Sequence, residues 1–243
     1  MAFLPEIPAL MGQALGLSPA EGQALALTLR AATLAVLCSL PFAVGFGWLL
    51  GRYRFPGHGV LNAVIHLPLV LPPVVTGYLL LLLLGRQGAI GAPLYELFGI
   101  RLSFSTAGVV IACAVVAFPL FVRAIRQAVE SQDRRLESAA RSLGASEARV
   151  FLTVTLPLML PGILTGATLA FARAVGEFGA TITFAANIPG RTQTLPLALF
   201  AETQSPGGED AALRLCLLSV ALACGALVAS EGLSRRTRVE AAV

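Results

Sequence analysis

Arg173 and Glu177 stand four residues apart inside a long apolar stretch. Residues at that spacing share a helix face, so the guanidinium and the carboxylate are expected to pair. Counted from Pro161 at 1.5 Å per residue, they lie roughly 18 and 24 Å along a helix, near the midplane of a bilayer and beyond it. Charges at that depth mark either an interior pair that fixes packing or a solute path. The pair is the preferred reading here. Thr76, Thr181 and Thr183 could offer hydroxyls to a solute, although threonine in a helix also bonds its own backbone. His58 and His66 have no partner pattern for a metal and are read as interfacial. Cys38, Cys113, Cys216 and Cys224 lie in apolar blocks without CxxC spacing, which fits buried thiols rather than a zinc site or disulfides. No HExxH, no nucleophile beside a base and no paired carboxylates occur within these blocks, so no catalytic, cofactor or metal residue is assigned. A membrane-embedded enzyme using Glu177 and a histidine is the alternative from another class, and a passive channel is a third.

The elements that must position these residues are read from the apolar pattern. Of 243 residues, 56% are hydrophobic and 12% charged, and the mean hydropathy is +0.82. A soluble domain carries about 25% charged residues. Uncharged blocks run over 31–51, 67–85, 102–122 and 150–172, with a shorter one over 215–230. A bilayer core about 30 Å thick needs about 20 helical residues, so the pattern predicts an all-α, polytopic membrane protein of five to six spans in a single domain, 1–243. The expected spans are about 25–50, 60–84, 106–122, 161–185 and 211–233, with loops at 86–105 and 187–210. Ser18, Pro19 and Glu21 read as a capping box that starts the first helix. Pro68, Pro72 and Pro73 interrupt the second span, which must therefore face protein or a cavity. Residues 1–17, broken by Pro5 and Pro8, are expected to lie at the membrane surface. They have no basic n-region of a cleavable signal.

All 17 basic residues are arginine. They do not form the patch with interleaved aromatics of a nucleic-acid binder, so no nucleic-acid partner is expected. Eleven fall on one side: Arg52 and Arg54, six between 123 and 149, and Arg235, Arg236 and Arg238. Arg86, Arg101 and Arg191 fall on the other. The positive-inside rule makes the first side cytoplasmic, together with the C-terminus. The windows 67–77 and 156–166 echo one another, which is read as convergence within apolar sequence.

The segment 123–157 is the most specific signal: Leu136-Glu-Ser-Ala-Ala-Arg-Ser-Leu-Gly144-Ala-Ser-Glu-Ala-Arg-Val-Phe-Leu-Thr-Val-Thr-Leu156-Pro157. Arg134 to Leu143 favours helix, and Gly144 can end it in the left-handed conformation. Ser146 and Glu147 can start a second helix that carries Val150, Phe151 and Val154 on one face. Two short helices joined at glycine and anchored by Leu156 and Pro157 make a rigid cytoplasmic knob.

This segment resembles the EAA loop of ABC importer permeases, whose pattern is E-A-A, three residues, G, nine residues, I, one residue, L-P. Aligned on Gly144, the alanines fall on Ala139 and Ala140, the isoleucine position on Val154, and Leu-Pro on Leu156 and Pro157. The glutamate position falls on Ser138, with Glu137 one residue earlier. That departure weakens any claim that a carboxylate here makes a specific contact. Residues 67–77 and 176–196 are similar to molybdate permeases, with sulfate permeases as close relatives. The resemblance implies a type I importer fold and a coupling surface at Ser138, Ala139, Ala140, Gly144, Ala145, Ser146, Leu156 and Pro157. It also implies a homodimer, two ATP-binding cassette subunits and a periplasmic oxyanion-binding protein, in the inner membrane of a bacterium. The chain has no G-x-x-x-x-G-K-[ST] stretch, so ATP is expected on a partner subunit and no cofactor on this chain.

Overall fold

The computed structural model describes residues 17–240. The expectations for residues 1–16, surface association and any additional span there, lie outside the described residues. Every regular element described is helical: α1 (Pro19–Arg52), α2 (His58–Val70), α3 (Pro73–Leu84), α4 (Gly91–Phe98), α5 (Thr106–Glu130), α6 (Arg134–Ser142), α7 (Glu147–Val150), α8 (Leu156–Val175), α9 (Gly179–Phe184), α10 (Leu195–Thr203) and α11 (Glu209–Glu240). A π-helical turn, Phe151–Thr155, joins α7 to α8.

The capping box forms as expected. Ser18 Oγ accepts from Glu21 N at 3.3 Å, Ser18 N donates to Glu21 Oε2 at 2.7 Å, and Pro19 opens the helix. At 34 residues α1 is about 50 Å long, well beyond the hydrocarbon core, so it must tilt or project. Its buried face is built from small residues, including Ala31, Ala32, Ala35, Ala43 and Gly47. A Cβ on Gly47 would stand 2.6 Å from Ile125 Cγ2, so α1 and α5 approach closely there.

The centre of the bundle is α5, packed against α1, α2, α8 and α9. Val109, Ala112, Cys113, Val116, Phe121, Val122, Ile125 and Val129 follow one another at helical spacing on its buried face. On α8, Gly162 and Gly166 form a small-xxx-small pair that lies against Ala124 and Ala128 of α5. A Cβ at position 166 would meet Phe121 Cδ2 at 2.8 Å and Ala124 Cβ at 3.2 Å. Membrane helices associate through such close backbone approach, because lipid supplies no hydrophobic drive between them.

Among the described residues, three helical stretches are long and apolar enough to cross a membrane: Pro19–Arg52, Thr106–Glu130 and Glu147–Val175. The expected second span is not one rod. It is α2 and α3, bent by 117° at Leu71 and Pro72, and it makes a fourth crossing if the pair is counted as one. Pro72 and Pro73 supply no amide hydrogen, and a residue preceding proline is pushed out of the α region, as the ψ of 144° at Leu71 shows. Pro68 by contrast is accommodated inside α2.

The expected fourth span, 161–185, also needs correction. Its helix α8 stops at Val175, Gly176 breaks it, and α9 starts afresh at Gly179. Both expected loops contain helices, α4 in 86–105 and α10 in 187–210. The third span continues two turns further, to Glu130. The fifth expected span falls within α11. The echoing windows differ in structure, one crossing the α2–α3 bend and the other lying in continuous α8, which agrees with convergence.

Candidate functional site

The knob is built as the residue types require. Asp133 accepts from Arg135 N at 2.9 Å and starts α6. Gly144 has φ +85°, the left-handed conformation that costs glycine nothing. A Cβ there would meet no atom within 4 Å, so within this chain the glycine is required by the backbone and not by crowding. Ser146 Oγ accepts from Arg149 N at 3.4 Å and starts α7. Arg141 reaches across the Gly144 turn and grips Glu147 with two bonds, Nε to Oε1 at 2.6 Å and Nη2 to Oε2 at 3.0 Å. That bond, ahead of the Arg141 charge, holds the Glu147 carboxyl below its ordinary value, and the same bond raises Arg141.

Ser138, Ala139, Gly144 and Ser146 are exposed, Ala140 and Ala145 half-buried, and Leu143 at the tip is 89% exposed. The tip is therefore a surface of small residues around one bare leucine. Leu156 and Pro157 open α8 behind it, with Leu156 packed on the core.

Glu137 is the residue that sequence reasoning set aside. Although the offset from the family pattern weakened the case for a carboxylate contact, Glu137 makes specific ones: it is buried, ion-paired with Arg52 at the end of α1, and accepts from Thr155 Oγ1 at 2.9 Å. Arg141 Nη2 lies 3.5 Å from the same carboxylate. Ser138, in the aligned glutamate position, is exposed and donates to its own helix, to Arg134 O at 3.2 Å. Trp48 packs edge-on against both Tyr53 and Phe151, at 5.3 and 5.2 Å between ring centroids. The knob is thus fastened to the end of α1 by one buried ion pair and one aromatic cluster.

Deeper in the bundle, Arg173 Nη1 lies 2.7 Å from Glu177 Oε2. The pair forms although α8 ends between the two residues. Glu177 is 1% exposed, and its other oxygen accepts from Ala180 N at 2.7 Å, so the carboxylate also caps the start of α9. Of the threonines, Thr183 donates to Gly179 O at 2.9 Å, as a helix threonine does. Thr76 and Thr181 do not follow that expectation: both are buried and neither hydroxyl has a partner. Their helices, α3 and α9, are in close contact, since a Cβ on Gly77 would lie 2.8 Å from Ala180 Cα and 2.9 Å from Thr183 Cβ. All five candidate residues thus cluster around the α8–α9 break and the α3 helix against it.

A groove of about 720 Å³ runs between α5 and α8, lined by Arg123, Gln127, Ser131 and Thr165 among others. Sequence reasoning counted Arg123 only for topology. The available signal was the i, i+4 recurrence of polar residues at 123, 127 and the C-cap 131, beside the Arg126–Glu130 pair on the same last two turns.

The profile of the family described as "binding-protein-dependent transport system inner membrane component" matches residues 43–230. The chain belongs to this family. It is a multi-pass helical protein of the inner membrane and a transport component. It is 58% identical over 225 residues to the molybdenum transport system permease protein ModB of Escherichia coli (strain K12), covering 93% of this chain and 98% of that protein. It is 55% identical over 216 residues to the ModB of Haemophilus influenzae, covering 89% and 94%. A probable sulfate transport permease of Chlorokybus atmophyticus is 42% identical over 173 residues, covering 71% of this chain and 60% of that protein. Among solved structures, a bacterial ABC transporter that imports alginate shares the fold with a TM-score of 0.72 at 16% identity, over 92% of this chain and 82% of that one. An amino acid ABC transporter gives 0.60 at 19% identity, over 96% and 97%.

Proposed function

We propose that this chain is the membrane-spanning subunit of an ATP-driven importer that carries molybdate inward across the bacterial inner membrane. The observation that carries the substrate is the 58% identity to a molybdenum permease over nearly the full length of both chains. The knob supports the energy source. Its glycine turn presents small exposed residues and Leu143 to a groove on a separate ATP-binding subunit, and the chain itself has no phosphate-binding loop.

Two copies of the chain enclose the pathway, two ATP-binding subunits seat the two knobs, and an external oxyanion-binding protein delivers the anion. Arginine asymmetry puts the knob and the C-terminus in the cytoplasm. The Arg173–Glu177 pair holds the α8–α9 break, and the buried, unpartnered Thr76 and Thr181 hydroxyls beside it become donors to a solute when the helices there part. An oxyanion that must be released is better served by such neutral donors than by permanent tight charges.

Sulfate is the second reading, favoured by the more distant sulfate permease relatives. Uptake of radiolabelled molybdate in cells expressing the full transporter tests the two. Uptake blocked by unlabelled molybdate or tungstate and insensitive to excess sulfate is expected. Sulfate competing as well as molybdate would overturn the choice of substrate.

A further inference from the structure

At the end of α5 opposite the knob, three arginines gather around one tyrosine. Arg86, Arg101 and Arg191 line a single cavity of about 320 Å³ together with Tyr95, Ser103 and Phe104. The guanidinium carbons of Arg86 and Arg101 lie over the Tyr95 ring, 4.6 and 4.9 Å from its centroid. Arg101 Nη2 also donates to the phenol oxygen at 2.9 Å. The ring is therefore a post against which two flexible side chains are set, and cation–π attraction holds them there. Arg191 is positioned through its backbone, because its carbonyl accepts from Thr106 Oγ1 at 3.0 Å in the first turn of α5.

No carboxylate lines this cavity, and among the described residues none of the three arginines enters a salt bridge. The other consequence of the crowding is visible on Tyr95, whose phenol is held below its ordinary value first by the Arg101 hydrogen bond and then by the charges of Arg101 and Arg86. Three like charges around one space repel, and an anion placed among them relieves that repulsion. Planar guanidinium forks match the paired oxygens of an oxyanion, which a compact ammonium does not. The cavity has about ten times the volume of one liquid water, enough for a tetrahedral anion with part of its hydration. Ile90, Leu97 and Phe98, which are 51%, 74% and 69% exposed, lie on and beside α4 next to it.

We propose that Arg86, Arg101 and Arg191 form a binding site for a tetrahedral oxyanion group, separate from the threonines near the α8–α9 break. Two sources offer that chemistry: a free oxyanion about to be carried, which rests on the molybdate reading above, and the phosphate of a lipid headgroup against the apolar face of α4.

The test uses the purified protein in phosphatidylcholine nanodiscs, without its binding protein, alongside the triple variant Arg86→Gln/Arg101→Gln/Arg191→Gln. One arm measures equilibrium binding of radiolabelled molybdate. The other counts phosphatidylglycerol molecules retained in native mass spectrometry after nanodiscs are doped with that lipid. Binding about ten-fold or more weaker in the variant, in either arm, is expected, and the arm that responds identifies the source. If the triple variant fails to fold, Arg191→Gln alone serves, because it leaves the Tyr95 clamp intact, and the same loss is expected in smaller degree. Unchanged binding in both arms overturns the site. Unchanged binding together with lost affinity for the external binding protein also overturns it, and makes the cluster a docking surface instead. Normal molybdate uptake with unchanged binding sinks only this site. Absent wild-type uptake sinks the molybdate reading, and the lipid arm still decides the site.

Discussion

Arg52, at the last turn of α1, is ion-paired with Glu137, a buried carboxylate 85 residues further along on the first helix of the knob. Thr155 donates to the other oxygen of the same carboxylate, so one side chain joins α1, α6 and the π turn ahead of α8. Glu137→Gln leaves Arg52 partly buried without its partner. A loss of about 3–5 kcal/mol is expected for stranding a charge in this way, and the double variant Arg52→Gln/Glu137→Gln should recover part of it. Thermal unfolding of the detergent-solubilised chain measures both. A double variant less stable than either single one would show that the pair does not act as a unit.

The left-handed backbone at Gly144 restricts what can replace it. Gly144→Asp costs on the order of 1 kcal/mol in backbone strain and puts a carboxylate on the exposed tip. The spans are untouched, so the variant should insert normally yet lose co-purification with the ATP-binding subunit and with it substrate-stimulated hydrolysis. Retained partner and normal transport would remove the knob from the coupling role.

Arg173 and Glu177 behave differently if they are structural than if Arg173 attracts solute. With Glu177 at 1% exposure and capping α9 as well, Glu177→Gln should destabilise more than the combined Arg173→Gln/Glu177→Gln change. Arg173→Gln that folds and inserts normally but takes up less oxyanion would instead assign the guanidinium to the pathway. Normal stability and uptake in both single variants would exclude both roles.

The Arg141–Glu147 clamp is sensitive to acid. Glu147 is held below its ordinary carboxylate value in the folded knob, so its contribution is full above that ordinary value and fades as pH falls through the depressed one. Amide protection around Arg149 should therefore persist through the usual carboxylate range and drop only below it. In Glu147→Gln the drop should be absent, with protection lower than in the native chain above the depressed value and equal to it below. Loss of protection already at the ordinary carboxylate value would show that the bond does not hold in solution.

Orientation is open to chemical labelling. Single cysteines at Arg141 and Gln193, in a background without Cys38, Cys113, Cys216 and Cys224, are expected to react from the cytoplasmic and external sides respectively. Reaction at position 141 with an impermeant reagent added outside would invert the whole topology.

What the sequence revealed, and what it hid, follows from the range of the forces involved. The capping box at Ser18 and Glu21, the glycine turn at Gly144 and the Arg173–Glu177 pair are contacts within a turn or two, and each was legible from residue types and spacing. The prolines at 72 and 73 were legible too, but unbroken apolarity across them hid a bend of 117°, because hydropathy records depth and not direction. The stop at Val175 was hidden for a similar reason: Gly176 is unremarkable in a membrane helix until Glu177 turns to cap the next one. The Arg52–Glu137 pair could not be read at all, since no spacing rule connects residues 85 positions apart that only tertiary packing brings together.

The π turn at Phe151–Thr155 has a mechanical meaning. From Glu147 to Val175 the chain runs as one helical rod of 29 residues, about 43 Å long, with the knob at one end and the Arg173–Glu177 joint at the other. Along it the i→i+4 ladder is interrupted only for the one wider turn, and π turns of this kind recur at functional sites. On the importer reading proposed above, the element is a pushrod with a swivel: displacement of the tip along the axis is handed to the far joint, and roll is taken up at the π turn.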